Sequence, residues 1–290
     1  MPKRLQIAAI LALVIVDVVA VAVAVIHVNS TPAGSSLLLP TETPSTETTP
    51  PAAPKAANGI AVSAETILLY SSGSCHKPRS AKLEISSDRG ATFDELTLPV
   101  DTNGDLLATS IADVALTSKG ISLVGRDADC HLTRFVTTDS GQNWVAAKSV
   151  ATWLAYGGKV MTPTGSVVDP GCAAASVWAS SRLSVRAVCD DGRIRATENG
   201  GQTWSGPGAL SGGTAGVFVT VKDGFASGSS ADCASRAFHT TDGGAKWAPL
   251  GCIDKDKKVS AMAGDSGLLA ALIDGTVYAS SDAGATWTQS

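Results

Sequence analysis

The sequence predicts an all-β body, assembled from repeated four-stranded units, behind an apolar N-terminal segment and a Pro-rich spacer. Three observations predict it. One short turn pattern recurs five times between residues 86 and 287. Apolar or alternating runs of strand length, broken by turn residues, lead into each copy. The composition shifts near residues 28 and 58, separating that body from what precedes it.

The first element, residues 1–28, is expected to be a signal anchor. Lys3 and Arg4 precede Ile7 to Ile26, where Asp17 is the sole charge among twenty residues, a length that spans a hydrocarbon core as a helix. Asp17 at mid-span costs about 2.5–3.5 kcal/mol, and the Ile, Leu and Val residues around it each return about 0.3–0.6 kcal/mol, so insertion wins. Basic residues before the span place the N-terminus inside and export the rest. A cleaved secretory signal is the alternative, with Ala22 and Ala24 as a small-x-small site. Either route puts the body outside the cytoplasm, membrane-anchored or secreted.

The second element, residues 29–58, carries Pro40, Pro44, Pro50, Pro51 and Pro54 among Thr, Ser and Ala, with no aromatic residue. It cannot build a core, and Pro holds it extended, so a disordered, semi-rigid spacer is expected. The whole chain has a formal net charge of −4, which gives no electrostatic footprint for nucleic acid.

The third element, residues 59–290, holds the repeat. Its copies are Ser86, Asp88, Gly90 and Phe93; Thr137, Asp139, Gly141 and Trp144; Thr197, Asn199, Gly201 and Trp204; Thr240, Asp242, Gly244 and Trp247; and Ser280, Asp282, Gly284 and Trp287. Each fits [ST]-x-[DN]-x-G-x-x-[FW]. The pattern reads as a β-turn, in which Asp or Asn accepts backbone N–H bonds, Gly takes the positive φ, and the closing aromatic packs back on the hairpin. Asn199 in the third copy satisfies a turn but would replace a catalytic acid poorly, so the role expected of these residues is structural.

These turns resemble the Asp-box or BNR-repeat β-propellers, which include sialidase-like, sortilin-like and photosystem-assembly-factor-like proteins. The resemblance implies a box between the third and fourth strands of each blade. A lone blade cannot bury both faces, so blades must stack about an axis. The Asp or Asn positions are spaced by 51, 60, 43 and 40 residues, which reads as five four-stranded blades with an insertion in the third. Six blades with one degenerate unit is the alternative, and strand exchange to close the ring is left open by the short stretch after Trp287.

All six cysteines lie in the body, where an oxidising compartment favours disulfides. On the propeller frame Cys130, Cys189 and Cys233 stand seven or eight residues before a box hydroxyl, near the turn between second and third strands. Cys75 precedes a third strand, and Cys172 and Cys252 precede the first strands of the third and fifth units. All six then share the face opposite the boxes. Bridged Cα atoms must come within about 7 Å, which favours Cys75–Cys130, Cys172–Cys189 and Cys233–Cys252. No CxxC pair or His cluster points to a metal, and no cofactor is expected.

The enzymatic branch of the resembled family implies an early F/Y-R-I-P motif, three arginines on the substrate carboxylate and a Tyr–Glu nucleophile pair. No F/Y-R-I-P occurs, and Tyr70, Tyr156 and Tyr278 stand in apolar or strand-like contexts. Asp127 with Asp129 and Asp190 with Asp191 sit at turns, and His76, His131 and His239 lack a nucleophile elbow. No catalytic residue is therefore assigned. The expected function is noncatalytic binding or assembly at the cell envelope, recognising a protein or glycan, with a divergent glycoside hydrolase as the alternative. The expected binding face is the cysteine-bearing one, with His76, Arg79, Arg126, Asp129, His131, Asp190, Asp191 and Lys257, flanked by Lys77, Asp127, Lys255, Asp256 and Lys258. Bridges that pin its loops lower the ordering cost of binding.

Overall fold

The apolar runs form strands, and consecutive strands pair antiparallel into six small sheets. The structure, a computed structural model, describes residues 57–77, 80–265 and 267–290. The expected anchor at 1–28 and nearly all of the spacer lie outside those residues, as do Pro78, Arg79 and Ser266. No helix among the described residues is long and apolar enough to cross a membrane.

Blade one comprises β1 (Gly59–Ser63), β2 (Thr66–Ser71), β3 (Lys82–Ser86) and β4 (Asp94–Glu95). Blade two comprises β5 (Ser110–Thr117), β6 (Gly120–Arg126), β7 (Leu132–Thr137) and β8 (Val145–Ala146). Blade three has only β9 (Leu154–Tyr156), β10 (Lys159–Met161) and β11 (Val167–Val168). Blade four comprises β12 (Ala174–Ala179), β13 (Val185–Cys189), β14 (Arg193–Thr197) and β15 (Ser205–Ala209). Blade five comprises β16 (Ala215–Phe218), β17 (Gly224–Ser230), β18 (Cys233–Thr240) and β19 (Ala248–Asp254). Blade six comprises β20 (Ala261–Gly264), β21 (Leu269–Ile273), β22 (Thr276–Ser280) and β23 (Thr288–Gln289).

The second strands are apolar almost throughout, as in Leu269–Ile273 and Val185–Cys189, because every residue of β13 and β21 is buried between neighbouring blades. The core is accordingly divided into six apolar clusters, one in each seam. The seam between blades two and three is thin, with Val124, Leu154 and Met161 as its buried residues, and that between blades four and five likewise has three, Val188, Ile194 and Phe218. Blade six meets blade one through Leu268, Ala270 and Leu272 against Ile67 and Leu69. Among the described residues no strand is exchanged at that seam, because each sheet consists of strands consecutive in the chain.

The count of five blades is corrected to six. The supposed insertion after Trp144 is a shortened blade that carries no copy of the repeat. The Ala174 N–H donates to Gly158 O at 2.8 Å, which puts the β9–β10 turn beside the start of β12. In the other blades the turn at that end joins second and third strands, so β9, β10 and β11 correspond to strands two to four. Blade three thus lacks a regular inner strand. Its Thr162–Ser166 turn keeps part of the repeat: Thr162 Oγ1 bonds Thr164 Oγ1 at 2.8 Å, and Gly165 takes φ +85° one residue earlier than in the full pattern.

Two smaller expectations also change. Cys252 lies within β19, the outer strand of blade five, because that strand continues to Asp254. The closing aromatics leave their own hairpins for the seam with the preceding blade. Trp144 joins the cluster between blades one and two, and its Nε1 donates to Thr97 O at 2.8 Å. Phe93, Trp204, Trp247 and Trp287 take equivalent places in four other seams. The aromatic is large enough to cover a neighbour's edge, and burying it there removes more apolar surface from water than folding it onto a two-residue outer strand.

Candidate functional site

The repeated turns share one set of bonds. In the fourth copy Thr240 Oγ1 donates to Asp242 Oδ1 at 2.9 Å and accepts the Gly244 N–H at 2.9 Å, while Asp242 Oδ1 also accepts the Lys246 N–H at 2.9 Å. Ser86, Thr137, Thr197 and Ser280 repeat this arrangement with Asp88, Asp139, Asn199 and Asp282. All five hydroxyl residues are only 1–3% exposed. Hydroxyl and turn N–H bonds hold the Asp88, Asp139 and Asp282 carboxyls down at about 2. Gly244 takes φ +94°, and a Cβ there would stand 3.0 Å from Ile194 of blade four. The turn therefore abuts the preceding blade, and its carboxylate is spent on its own backbone.

On the opposite face the structure has disulfides Cys75–Cys130, Cys172–Cys189 and Cys233–Cys252, with Cα separations of 5.4, 5.9 and 6.0 Å. These are the pairs that placement along the strands favoured. Cys75–Cys130 ties the β2–β3 loop of blade one to the β6–β7 loop of blade two. The other two bridges staple blades four and five internally.

The expected binding residues fall into separate groups. Around Cys75–Cys130 lie exposed His76, with Nε2 3.6 Å from Cys130 Sγ, and exposed Asp129 and His131. The Arg126 guanidinium sits 5.6 Å from the Tyr156 ring centroid, a cation–π contact reaching blade three. Asp190 and Asp191 are exposed on blade four, where Asp191 Oδ2 accepts from Arg193 Nε at 2.7 Å. Lys257 pairs with Asp274 at 3.0 Å on blade six. Arg79 is outside the described residues.

Two groupings here have metal-ligand chemistry, and neither makes a metal centre. Cys75 and Cys130, beside His76, are consumed by their disulfide. Asp127, Asp129 and His131 are solvent-facing, and Asp127 Oδ1 already accepts the Asp129 and His131 N–H groups at 3.0 and 2.9 Å.

A third location was not legible in the sequence. The innermost strands surround an axial cavity of about 630 Å³, lined from all six blades. Among the described residues its wall is mostly Ala, Val, Gly and Ser, with Tyr70, Trp153 and Trp178 as the aromatic residues and Asp113 as the one carboxyl. Tyr70 reaches the cavity because it lies across Gly59, its partner in the β1–β2 ladder, where a Cβ would come within 2.0 Å of the ring. Asp113 is placed by a β-bulge: Ile111 pairs with Gly125 and Asp113 with Val124, leaving Ala112 unopposed. Ile111 and Val114 thereby stay in the seam with blade one, and Asp113 turns aside.

Where the inner strand of blade three is missing, a notch of about 290 Å³ opens. Asp113, Trp153, Val177 and Ala179 line both notch and axial cavity, and Arg182 stands on the notch wall. Burial lifts the Asp113 carboxyl to about 7, against a smaller opposing effect of the Val114 backbone bond. Burial, with the Asp113 charge added, raises the Tyr70 hydroxyl. The Trp153 Nε1 is buried without a hydrogen-bond partner among the described residues.

No protein-family model matches the chain, and no curated protein does. Among solved structures the chain is similar to "YCF48 bound to D1 peptide" at 18% identity, covering 82% of this chain and 68% of that one, with a TM-score of 0.32. It is similar to the GH74 xyloglucanase from Xanthomonas campestris at 20% identity, covering 81% and 38%, TM-score 0.32. It is also similar to YCF48 from Cyanidioschyzon merolae at 14% identity, covering 83% and 87%, TM-score 0.31. Likenesses this loose do not bear on function, and the β-propeller assignment stands on the six sheets and their shared axis.

Proposed function

We propose that this chain is a noncatalytic binding or assembly module of the cell envelope, with residues 1–28 as its anchor, 29–58 as its spacer and 59–290 as an Asp-box propeller. Its three disulfides fit an oxidising compartment outside the cytoplasm. The partner is a protein or glycan taken on the cysteine-bearing face. The observation that carries this reading is the Cys75–Cys130 bridge across two blades, which holds His76, Arg126, Asp129 and His131 on one rigid platform. Hydrolysis of a glycoside needs two carboxyls about 5–9.5 Å apart, and among the described residues the axial cavity offers Asp113 alone.

The test uses photo-crosslinking side chains placed singly at Asp129, at Asp190 and, on the box face, at Lys119, in the full chain within its native envelope. Adducts specific to Asp129 or Asp190 are expected. Adducts confined to Lys119, or turnover of a glycoside panel that Asp113→Asn abolishes, would overturn the proposal.

A further inference from the structure

The Asp113 carboxyl has an unusual setting, independent of the loop face. Among the described residues it is the one acidic group on a cavity wall otherwise built of apolar residues and glycine, of serine, threonine and Asn58, and of aromatic rings. Among the described residues no Lys or Arg lines the axial cavity to balance it. Arg182, in the β12–β13 turn, lines the notch, and no ion pair joins it to Asp113 among the described residues. Tyr70, from β2, is the other titratable group on the axial wall, and β1, β9, β12, β16 and β20 contribute none there.

We propose that the axial cavity and its notch bind an organic cation, a primary amine carrying an apolar or aromatic body, with Asp113 as the counter-ion. A half-buried carboxylate on an apolar wall without a balancing charge is costly, and a ligand ammonium supplies that charge with three N–H donors. Trp178, half-buried on the axial wall, offers apolar surface to the ligand body, and aromatic rings also attract a cation. The missing strand of blade three gives the ligand its way to Asp113, which the bulge in β5 turns to that side. The cavity volume of about 630 Å³ falls in the ordinary range for small-molecule sites.

Binding also carries a proton signature. Asp113, lifted to about 7, holds its proton in much of the free protein near neutrality. An ammonium beside it favours the carboxylate, so binding near pH 7 releases protons.

Calorimetry on the full chain with phenethylamine, and with 2-phenylethanol as its uncharged counterpart, tests the proposal. The expected result is amine binding at least tenfold tighter than alcohol binding at pH 8, falling away by pH 5. The heat at pH 7 depends on the buffer's ionisation enthalpy, as proton release requires. Asp113→Asn erases the amine preference, whereas Asp129→Asn and Lys257→Ala leave it unchanged, which separates this site from the loop face. A carbon-13 titration of the wild-type Asp113 carboxyl, with and without saturating amine, reads the same linkage without a variant. Amine and alcohol binding equally, neither binding at millimolar concentration, or an Asp113 titration unmoved by the amine would each overturn the proposal.

Discussion

At the scale of single residues, Asp113 and the repeat hydroxyls make opposite demands on pH and packing. The folded chain raises the Asp113 carboxyl from 3.8 to about 7, so between those values the folded state holds a proton that the unfolded state has released. Stability therefore falls from Asp113's contribution as pH rises from about 4 to about 7, and the penalty is complete above that. Asp113→Asn should raise the melting temperature at pH 8 and change it little at pH 4; an equal shift at both would contradict the assignment. Thr240→Val keeps the shape but leaves the Gly244 N–H and one Asp242 interaction unmet in a buried turn. It should cost about 1–3 kcal/mol in chemical denaturation, and the same change at exposed Thr241 should cost far less.

At the scale of elements, the five repeated turns were legible from sequence because they are local. A hydroxyl, an acceptor and a Gly within five residues close their own bonds, and the pattern survives any rearrangement around it. Their aspartates are depressed from 3.8 to about 2 at Asp88, Asp139 and Asp282, so the stability they supply is complete above about pH 4 and lost as pH falls towards 2. Acid unfolding followed by far-ultraviolet circular dichroism should fall in that window. Replacing Asp88, Asp139 and Asp282 by Asn, the residue already present as Asn199, should flatten the transition; an unchanged acid limb would show that other carboxyls set it. Blade three was not legible for the converse reason. Its strands are two or three residues long, its turn substitutes Thr164 for the acidic residue, and it fits into a spacing of 60 residues only 9–20 longer than the others. Asp113 was missed because a bulge changes which face a side chain occupies, and alternation in sequence does not announce a bulge.

At the scale of the whole molecule, the strand-end positions of the cysteines were readable once blades were assumed, whereas the closure of the ring was not, since it rests on side chains 200 residues apart packing as neighbours. Leu268, Ala270 and Leu272 meeting Ile67 and Leu69 is a property of the finished toroid rather than of any segment. Its weakest sector is blade three, whose three strands are only two or three residues long and which lacks a regular inner strand. Hydrogen exchange should accordingly be fastest among the strand amides at Leu154–Tyr156 and Lys159–Met161, and slowest at Leu269–Ile273. Uniform protection round the ring would show instead that it opens as one cooperative unit. Because no strand among the described residues crosses from the last blade into the first, the propeller they form has no privileged starting point. Cutting the chain before Ala174 and joining residue 290 to residue 57 through a short soluble connector should yield a circular permutant with the same disulfides and a melting temperature within a few degrees of the parent. In such a toroid the order in which the ribosome delivers the sectors is a matter of history, and the finished shape retains no trace of it.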